Sequence, residues 1–289
     1  MRIGAIYPHF EFGAAPADVK EYARAAEELG LAHIGADDHV IAPNPERPEG
    51  YSGWTHHRLP FLEPFVLFSF LAPLTTRVEF STCILILPQR QAVLAAKQAA
   101  TLDVLCGGRL RLGIGNGWNE YEYAALGMEF HNRGRRGEEQ IELMRRLWRE
   151  ELVDFSGAYH RVPDMGLNPL PPRRAIPIWF GGQSEAVIRR AARIGDGWMP
   201  TYNDPAEAAG GLALFERCLR EAGRERAALG FEARIPYGAG DPGRWRELLA
   251  GWRAAGASHI SLVATGSGLN GPREHIRALY TFMKGIQAA

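Results

Sequence analysis

Asp37, Asp38 and His39 follow a short apolar run and are the first neighbouring side chains of the types needed for acid–base chemistry. Because the ordinary pKa of histidine lies near neutrality, His39 can give or take a proton at physiological pH. A histidine at the end of a strand can also be a hydrogen-bonded structural residue. The cluster therefore predicts proton transfer at His39 with Asp38 beside it, and the structural alternative stays open.

A glycine-rich segment, LGIGNGWNEYE, carries three glycines at alternate positions and then Trp118, Asn119 and Glu120. Glycine has no side chain, so these positions allow a flat ligand to approach the backbone. A tight turn at the end of a strand explains the same glycines equally well. The segment is a candidate ligand site on spacing alone.

A second glycine pair, Gly181-Gly182, lies between an apolar run and an amphipathic helical pattern, and Gln183 and Ser184 follow it directly. Ser184 can cap that helix with its hydroxyl while the glycine amides and the first-turn N–H groups point outward. Free N–H groups at a helix N-terminus bind phosphate well. We expect a phosphate to bind here.

Other sequence patterns in the chain do not meet the requirements of the binding sites that they resemble. Two segments match GxGxxG, but no acidic residue follows about twenty positions later at a strand end, as a dinucleotide site requires; we interpret their glycines as tight turns. These are Gly238, Gly240 and Gly243, and Gly266, Gly268 and Gly271. His56 and His57 are adjacent rather than spaced as metal ligands, so no metal site is expected. Cys83 lies in a β-branched run and is expected to pack as an inert core residue.

The elements that must position these residues alternate between short strands and helices along the whole chain. Eight such units fit a parallel (β/α)8 TIM barrel better than an open sheet of about six strands, and no domain boundary interrupts residues 1–289. The strands are expected at Arg2–Tyr7, His33–Asp37, Val78–Leu85, Arg109–Ile114, Ile176–Phe180, Gly197–Pro200, Phe231–Tyr237 and His259–Ala264. A small hairpin is expected in VDFSGAYHRV. The active site of such a barrel lies at the carboxyl ends of the strands.

Composition excludes several classes of function. Lysine plus arginine and aspartate plus glutamate both total 33, so the formal charge is zero and no basic field exists to bind nucleic acid. The longest apolar stretch is broken by prolines and too short to cross a bilayer, and the first residues lack the apolar core of a signal peptide. The three cysteines form neither a disulfide framework nor a zinc motif. A cytoplasmic protein is expected.

Four stretches together resemble the luciferase-like flavin or deazaflavin oxidoreductases, and the resemblance extends over essentially the whole chain. They are DDHV at Asp37–Val40, the block Ser81–Gly127, NRGRRGEEQIELMRRLW at Asn132–Trp148, and the block Pro177–Pro200. The block Ser81–Gly127 is highly specific because it gives strand, helix, GGRL, strand and GxGxGWNE in order.

The resemblance implies a single luciferase-like barrel that binds coenzyme F420 or FMN. His39 then matches a proton donor or acceptor close to the reactive ring, with Asp38 beside it. Cys83-Ile84 matches a non-proline cis peptide that backs the ring, and Asn119 matches a ring-contacting position. Gly181 to Ser184, with Gln183 between them, match the region around the ribityl-phosphate chain of the cofactor.

One departure concerns the substrate. A sugar-phosphate dehydrogenase of this family has a longer stretch between the glycines and the asparagine, and that stretch includes a catalytic glutamate. Here Trp118 directly precedes Asn119, so a sugar phosphate is not favoured and Glu120 is the available carboxylate.

The preferred hypothesis is a hydride transfer between F420 and a small organic substrate, with His39 managing the proton. The alternative is an FMN-dependent monooxygenase supplied by a separate flavin reductase. A non-catalytic flavin-binding protein and a two-carboxylate hydrolase using Asp38 and Glu120 are the other classes considered. The loop Ile41–Leu59 is expected to cover the pocket, and its aromatic residues favour an apolar or ring-bearing substrate. A homodimer is expected from the family.

Overall fold

The computed structural model describes residues 1–287. Its strands are β1 Arg2–Ile6, β2 His33–Ala36, β3 Glu79–Thr82, β4 Leu85–Ile86, β5 Leu110–Gly115, β6 Val153–Ser156, β7 Arg161–Met165, β8 Ile178–Gly181, β9 Gly197–Met199, β10 Gly230–Pro236 and β11 His259–Val263. Its α-helices are α1 His9–Phe12, α2 Pro16–Glu28, α3 Pro64–Leu71, α4 Ala92–Leu105, α5 Glu120–Ala125, α6 Arg133–Arg149, α7 Glu185–Ile194, α8 Pro205–Glu221, α9 Pro242–Ala254 and α10 Gly271–Gln287.

The strands close into a parallel barrel of eight positions. The order around the barrel is β1, β2, β3, β5, β8, β9, β10 and β11, and β11 pairs with β1 to complete the ring. β4 continues the position of β3, because both pair with β5. β6 and β7 form a separate antiparallel hairpin. The carboxyl ends of all eight strand positions therefore surround one opening, which we call the barrel mouth.

The sequence predicted this barrel correctly, with strand ends within two residues of those observed. Two differences matter for the site. The third strand was expected to be continuous but is interrupted at Cys83-Ile84, between β3 and β4. The short helix α5, directly after the glycine-rich segment, was not predicted. The hairpin expected in VDFSGAYHRV is present as β6 and β7.

Side chains point alternately outward and inward along each strand, which divides the core into an outer layer and an interior. Residues such as Ala5 pack outward against the helices, whereas Ile6 points into the barrel. Three large buried tryptophans of the outer layer satisfy their indole N–H groups on backbone carbonyls: Trp148 on Ala96, Trp245 on Tyr237 and Trp252 on Arg234. Burying such side chains stabilises the fold without leaving an unpaired donor. Within residues 1–287 no helix is both long and apolar enough to cross a membrane.

The amino end of the interior holds a buried ion network. Arg111 donates to Glu79 at 2.7 Å and to Glu232 at 2.5 Å, and Ser261 donates to Glu232 at 2.6 Å. Burial alone would raise the pKa of Glu232, but the charge of Arg111 and then the contacts with His33 hold that pKa well below its usual range. The interior is thus closed by charged groups at this end, and the barrel mouth lies at the other.

Candidate functional site

His39 follows β2 at the barrel mouth and is held by a carboxylate. Its Nδ1 lies 3.0 Å from Oε2 of Glu122, whose side chain is fully buried. The other oxygen, Oε1, accepts the backbone N–H groups of Val40 at 2.7 Å and Ile41 at 3.4 Å. An ionised carboxylate only accepts, so Nδ1 carries the hydrogen and neutral His39 presents Nε2 as an acceptor. Nε2 has no hydrogen-bond partner within residues 1–287.

Burial by itself would raise the pKa of Glu122. The hydrogen bond and charge of His39 and the hydrogen bond from the Val40 N–H outweigh that effect, so the pKa of Glu122 lies below its ordinary value. The group that orients His39 is therefore a stable carboxylate at neutral pH. This pairing fixes both the tautomer and the orientation of the imidazole ring.

Asn119 is the residue that starts α5 and so places Glu122. Its Oδ1 accepts the N–H groups of Tyr121 at 3.2 Å and Glu122 at 3.4 Å, which caps the helix. Its amide nitrogen, Nδ2, is buried and has no partner within residues 1–287. A buried amide donor without an acceptor is costly, so Asn119 is suited to donate to a ligand in the barrel mouth.

Asp38 supports the backbone beside the mouth. Its Oδ2 accepts the Ile86 N–H at 3.0 Å, and its Oδ1 accepts from Arg90 at 2.8 Å. Arg90 also pairs with Glu63 at 2.9 Å. Both oxygens of Asp38 are thus engaged, which favours a role in holding β4 against β2 over proton transfer.

The Cys83-Ile84 peptide is a cis, non-proline bond, as the resemblance implied. The turned backbone directs Ile84 into space that two glycines leave open: a Cβ at Gly115 or at Gly181 would overlap Ile84. Ile84 packs against Ile6, Trp179 and Met199 and remains partly exposed to the mouth. The result is an apolar floor, formed by Ile6, Cys83, Ile84, Trp179, Met199 and Val263.

Cys83 belongs to that floor and is not a reactive thiol. It is buried, and its Sγ lies 3.4 Å from the carbonyl of Ser81. Burial first, and then the negative charges of Glu232 and Asp37, raise the pKa of the Cys83 thiol far above its usual range. The thiolate is therefore not formed at neutral pH, and the expected packing role is confirmed.

The segment Gly181–Ser184 joins the end of β8 to α7. Gly182 adopts φ +110°, a backbone conformation that favours glycine, and its carbonyl accepts from Trp198 at 2.8 Å. Ser184 is the N-cap residue, but its hydroxyl makes no capping bond, contrary to the prediction. Gln183 is exposed and accepts from Thr201 at 3.0 Å. The start of α7 therefore offers its N–H groups and the Ser184 hydroxyl beside the mouth.

Aromatic side chains form the wall around His39. The rings of Trp54 and Phe61 lie 5.6 Å and 5.1 Å from the imidazole, and Trp118 lies 6.3 Å away. Tyr51 stacks on Trp118 at 6.4 Å. Trp54 and Trp118 are 56% and 44% exposed, which is unusual for tryptophan and leaves apolar surface open to a ligand. The expected contribution of the loop Ile41–Leu59 to the pocket wall is consistent with these contacts.

Sequence reasoning missed two ionisable side chains in the mouth. Arg234 and Asp37 occupy inward positions on β10 and after β2, and both are half-buried. The charge of Arg234 lowers the pKa of Asp37, although burial is the larger effect and raises it overall. Neither side chain forms a hydrogen bond or an ion pair within residues 1–287. The signal was present in the alternation of Glu232 and Arg234 along a strand that faces the interior.

The structure thus brings together most of the predicted site. His39, Asp38, Cys83, Ile84, Asn119 and the segment Gly181–Ser184 all surround one mouth. Glu120 is the exception, because it is exposed on the first turn of α5 and the carboxylate bonded to His39 belongs to Glu122. Among residues 1–287 no three His, Cys, Asp or Glu side chains are grouped to hold a metal ion.

Comparison with known proteins gives a consistent family. A family model described as luciferase-like monooxygenase matches residues 1–281. An uncharacterized protein of Mycobacterium tuberculosis is 36% identical over 225 residues, which are 74% of this chain and 77% of that protein. The F420-dependent glucose-6-phosphate dehydrogenase of Amycolatopsis mediterranei is 32% identical over 206 residues, covering 70% of this chain and 57% of that enzyme.

A solved structure also has the same fold. The F420-dependent secondary alcohol dehydrogenase in complex with an F420-acetone adduct superposes with a TM-score of 0.81 at 20% identity, covering 99% of this chain and 98% of that one. At this identity the likeness establishes the barrel architecture.

The lowered pKa of Glu122 predicts how stability depends on pH. We expect Glu122→Gln to reduce the free energy of unfolding at pH 7 by about 1–3 kcal/mol, because a charged hydrogen bond is lost in a buried place. The difference from wild type should be full above the unfolded pKa of about 4.3 and should shrink as pH falls through the lower folded value. Urea unfolding at pH 7, 5, 4 and 3 measures it.

The neighbouring Glu120→Gln provides the matched control, since it removes an exposed carboxylate from the same helical turn. It should leave stability unchanged at each pH. Equal effects of the two substitutions would contradict the role given to Glu122.

Proposed function

The chain belongs to the luciferase-like monooxygenase family, and from this premise we propose that it is an oxidoreductase that transfers a hydride between coenzyme F420 and a small organic substrate. The observation that carries the proposal is His39, whose Nδ1 is held by Glu122 while Nε2 is directed to an aromatic-walled mouth. The F420-dependent relative with 32% identity supports the choice of cofactor.

The residues present fit a flat ring with a phosphate-bearing chain. Ile84 and Val263 offer an apolar surface for the face of the ring, and Asn119 offers an unused amide donor to its edge. The first-turn N–H groups of α7, with Gly182 and the Ser184 hydroxyl, suit a phosphate. These features lie around one opening, so a single ligand can contact all of them.

F420, when bound, supplies the hydride acceptor or donor at C5 of its deazaflavin ring. The protein's part is the proton that accompanies oxidation of an alcohol or reduction of a carbonyl. Neutral His39 accepts it at Nε2, and Glu122 stabilises the resulting imidazolium through Nδ1. In the opposite direction the same nitrogen donates the proton. The aromatic wall from Trp54, Phe61 and Trp118 supplies apolar surface beside this proton transfer.

Arg234 and Asp37 are suited to orient the polar part of a ligand in the mouth. A guanidinium donates to a carbonyl oxygen, and a carboxylate accepts from a hydroxyl or an N–H group. Because neither is engaged elsewhere in residues 1–287, both are available to the ligand. An aromatic wall together with this pair favours a substrate with an apolar body and one polar group.

An FMN-dependent monooxygenase is the second candidate, favoured by the description of the matching family model. That activity would need a separate reductase to deliver reduced FMN. The same floor, amide and helix N-terminus suit either ring, so the decision depends on cofactor affinity.

The cytoplasmic location and the homodimer stay predictions.

Substitution of His39 tests the proton-transfer role. We expect His39→Asn to lower turnover about 100-fold or more, while the Kd for F420 changes less than about threefold. Turnover is measured with F420 on a panel of alcohols and activated alkenes, and Kd by quenching of tryptophan fluorescence. His131→Asn, an exposed histidine outside the mouth, is the control and should change neither value. Near-normal turnover of His39→Asn would remove His39 from the mechanism.

The space left by Gly181 tests the floor. In Gly181→Ala the new Cβ overlaps Ile84 and displaces it toward the mouth, so we expect the Kd for F420 to rise about tenfold or more. Adding Ile84→Ala removes the overlap and should restore much of the affinity. Gly210→Ala places a Cβ in open space on α8 and should have no effect on Kd. An unchanged Kd in Gly181→Ala would show that the floor does not contact the cofactor.

A further inference from the structure

A cavity of about 610 Å³ opens on the face of the barrel opposite to the mouth. Its walls come from the end of α6, the turn before β8 and the loop after α7, all at the amino ends of strands. In a barrel of this type the chemistry is done at the carboxyl ends, and residues at the amino face ordinarily serve stability. The cavity is therefore separate from the site around His39.

The lining of this cavity is strongly positive. One acidic side chain, Asp196, lies among six arginines, although the chain as a whole has as many acidic as basic residues. The arginines are Arg145, Arg149, Arg173, Arg174, Arg193 and Arg224. We call this cavity the arginine cavity.

Half of these arginines form no hydrogen bond or ion pair within residues 1–287, although the charges of Arg149 and Arg173 act to lower the pKa of Glu150 and of Asp103. Arg145 pairs with Asp196 at 3.0 Å, Arg193 pairs with Glu138, and Arg224 donates to the carbonyl of Ala192 at 2.9 Å. The guanidinium groups of the remaining three make no hydrogen bond or ion pair within residues 1–287. They are Arg149, Arg173 and Arg174.

The excess of positive charge belongs to the arginine cavity rather than to the surface around it. A neighbouring groove of about 550 Å³ shares Arg145, Arg149 and Arg193 with the arginine cavity, but it also contains three glutamates. Charges along that groove are nearly balanced. The excess of positive charge is thus larger in the arginine cavity, where the turn before β8 adds Arg173 and Arg174.

That turn holds two adjacent arginines in a defined conformation. Arg174 has φ +54°, in the left-handed region that disfavours residues with side chains, and its N–H donates to the carbonyl of Pro171 at 2.9 Å. Pro171 is buried and Pro172 follows it, so the turn has little freedom. Both guanidinium groups are consequently presented at the rim of the cavity.

We propose that the arginine cavity binds a small polyanion that carries two or more linked phosphate groups. Guanidinium groups bind phosphate through paired N–H donors, and several of them around one cavity match several phosphates rather than one. The volume lies in the range of small-ligand sites. A free polyphosphate chain and a nucleoside di- or triphosphate share this chemistry.

The cofactor phosphate of the proposed function does not occupy this cavity. Pro177, in the cavity wall, precedes β8, whereas Gly181 ends that strand at the mouth. Four residues at about 3.3 Å each separate the two ends by about 13 Å. The inference is independent of whether the protein uses F420.

Calorimetric titration of the full chain with sodium tripolyphosphate in 0.15 M NaCl tests the proposal. Salt at this level screens weak surface attraction beyond about 8 Å, so saturable binding reports a built site. We expect one site per chain, unchanged by an excess of FMN, and binding of inorganic phosphate weaker by about tenfold or more. If ATP binds about as tightly as tripolyphosphate, the phosphate chain is the part that the cavity recognises. If ATP binds markedly more tightly, the ligand class is a nucleoside triphosphate.

Variants locate the site. Arg173→Gln combined with Arg174→Gly keeps the turn, since glycine accepts the left-handed conformation, and should weaken tripolyphosphate binding about tenfold or more. Arg24→Gln with Arg135→Gln removes two charges from exposed positions elsewhere and should leave binding unchanged. Arg149→Gln, on α6, should weaken binding independently of the turn.

Four results would overturn the proposal, and the first three concern the existence and place of the site. They are absence of saturable binding, equal weakening by the two double variants, and competition by FMN. Inorganic phosphate that binds as tightly as tripolyphosphate would also contradict a site for linked phosphates.

Discussion

The interior of the barrel is too narrow for a side chain at every inward position, and glycines make room for the side chains that the site needs. A Cβ at Gly35 would overlap Cys83, and one at Gly115 or Gly181 would overlap Ile84. Gly197 and Gly230 leave space in the same way for Trp179. Close packing of this kind leaves the floor of the mouth few alternative arrangements.

The position of His39, the acid–base group, depends on that packing because the segments that form the floor also hold His39. Asp38 ties the end of β2 to β4 just after the Cys83-Ile84 peptide, and the next residue is His39. Glu122 then joins His39 and the backbone of Val40 to α5, which starts at the Asn119 cap after β5. Three neighbouring strand positions therefore fix one imidazole, and the arrangement is set before any ligand binds.

Much of this could be predicted from the sequence, because hydrophobic periodicity and the positions of the glycines indicate local structure. The eight strands, the strand-end position of His39 and the glycine pair before α7 all follow from such patterns. Glu122 could not be recognised in that way, since its partner lies 83 residues earlier in the chain. The one local signal was the spacing of Asn119 and Glu122, which resembles a helix cap followed by a residue that turns back over the first turn. Arg234 was missed because the alternation of Glu232 and Arg234 places both on one face of the strand but does not tell which face is inward until the barrel closes.

Titration of the purified protein with F420 and separately with FMN, followed by quenching of its tryptophan fluorescence, shows which ring the barrel mouth binds. We expect F420 to bind at least about tenfold more tightly than FMN. Tighter binding of FMN would contradict hydride transfer to a deazaflavin and would favour flavin and oxygen chemistry. Failure of both to bind would contradict the interpretation of the mouth as a cofactor site.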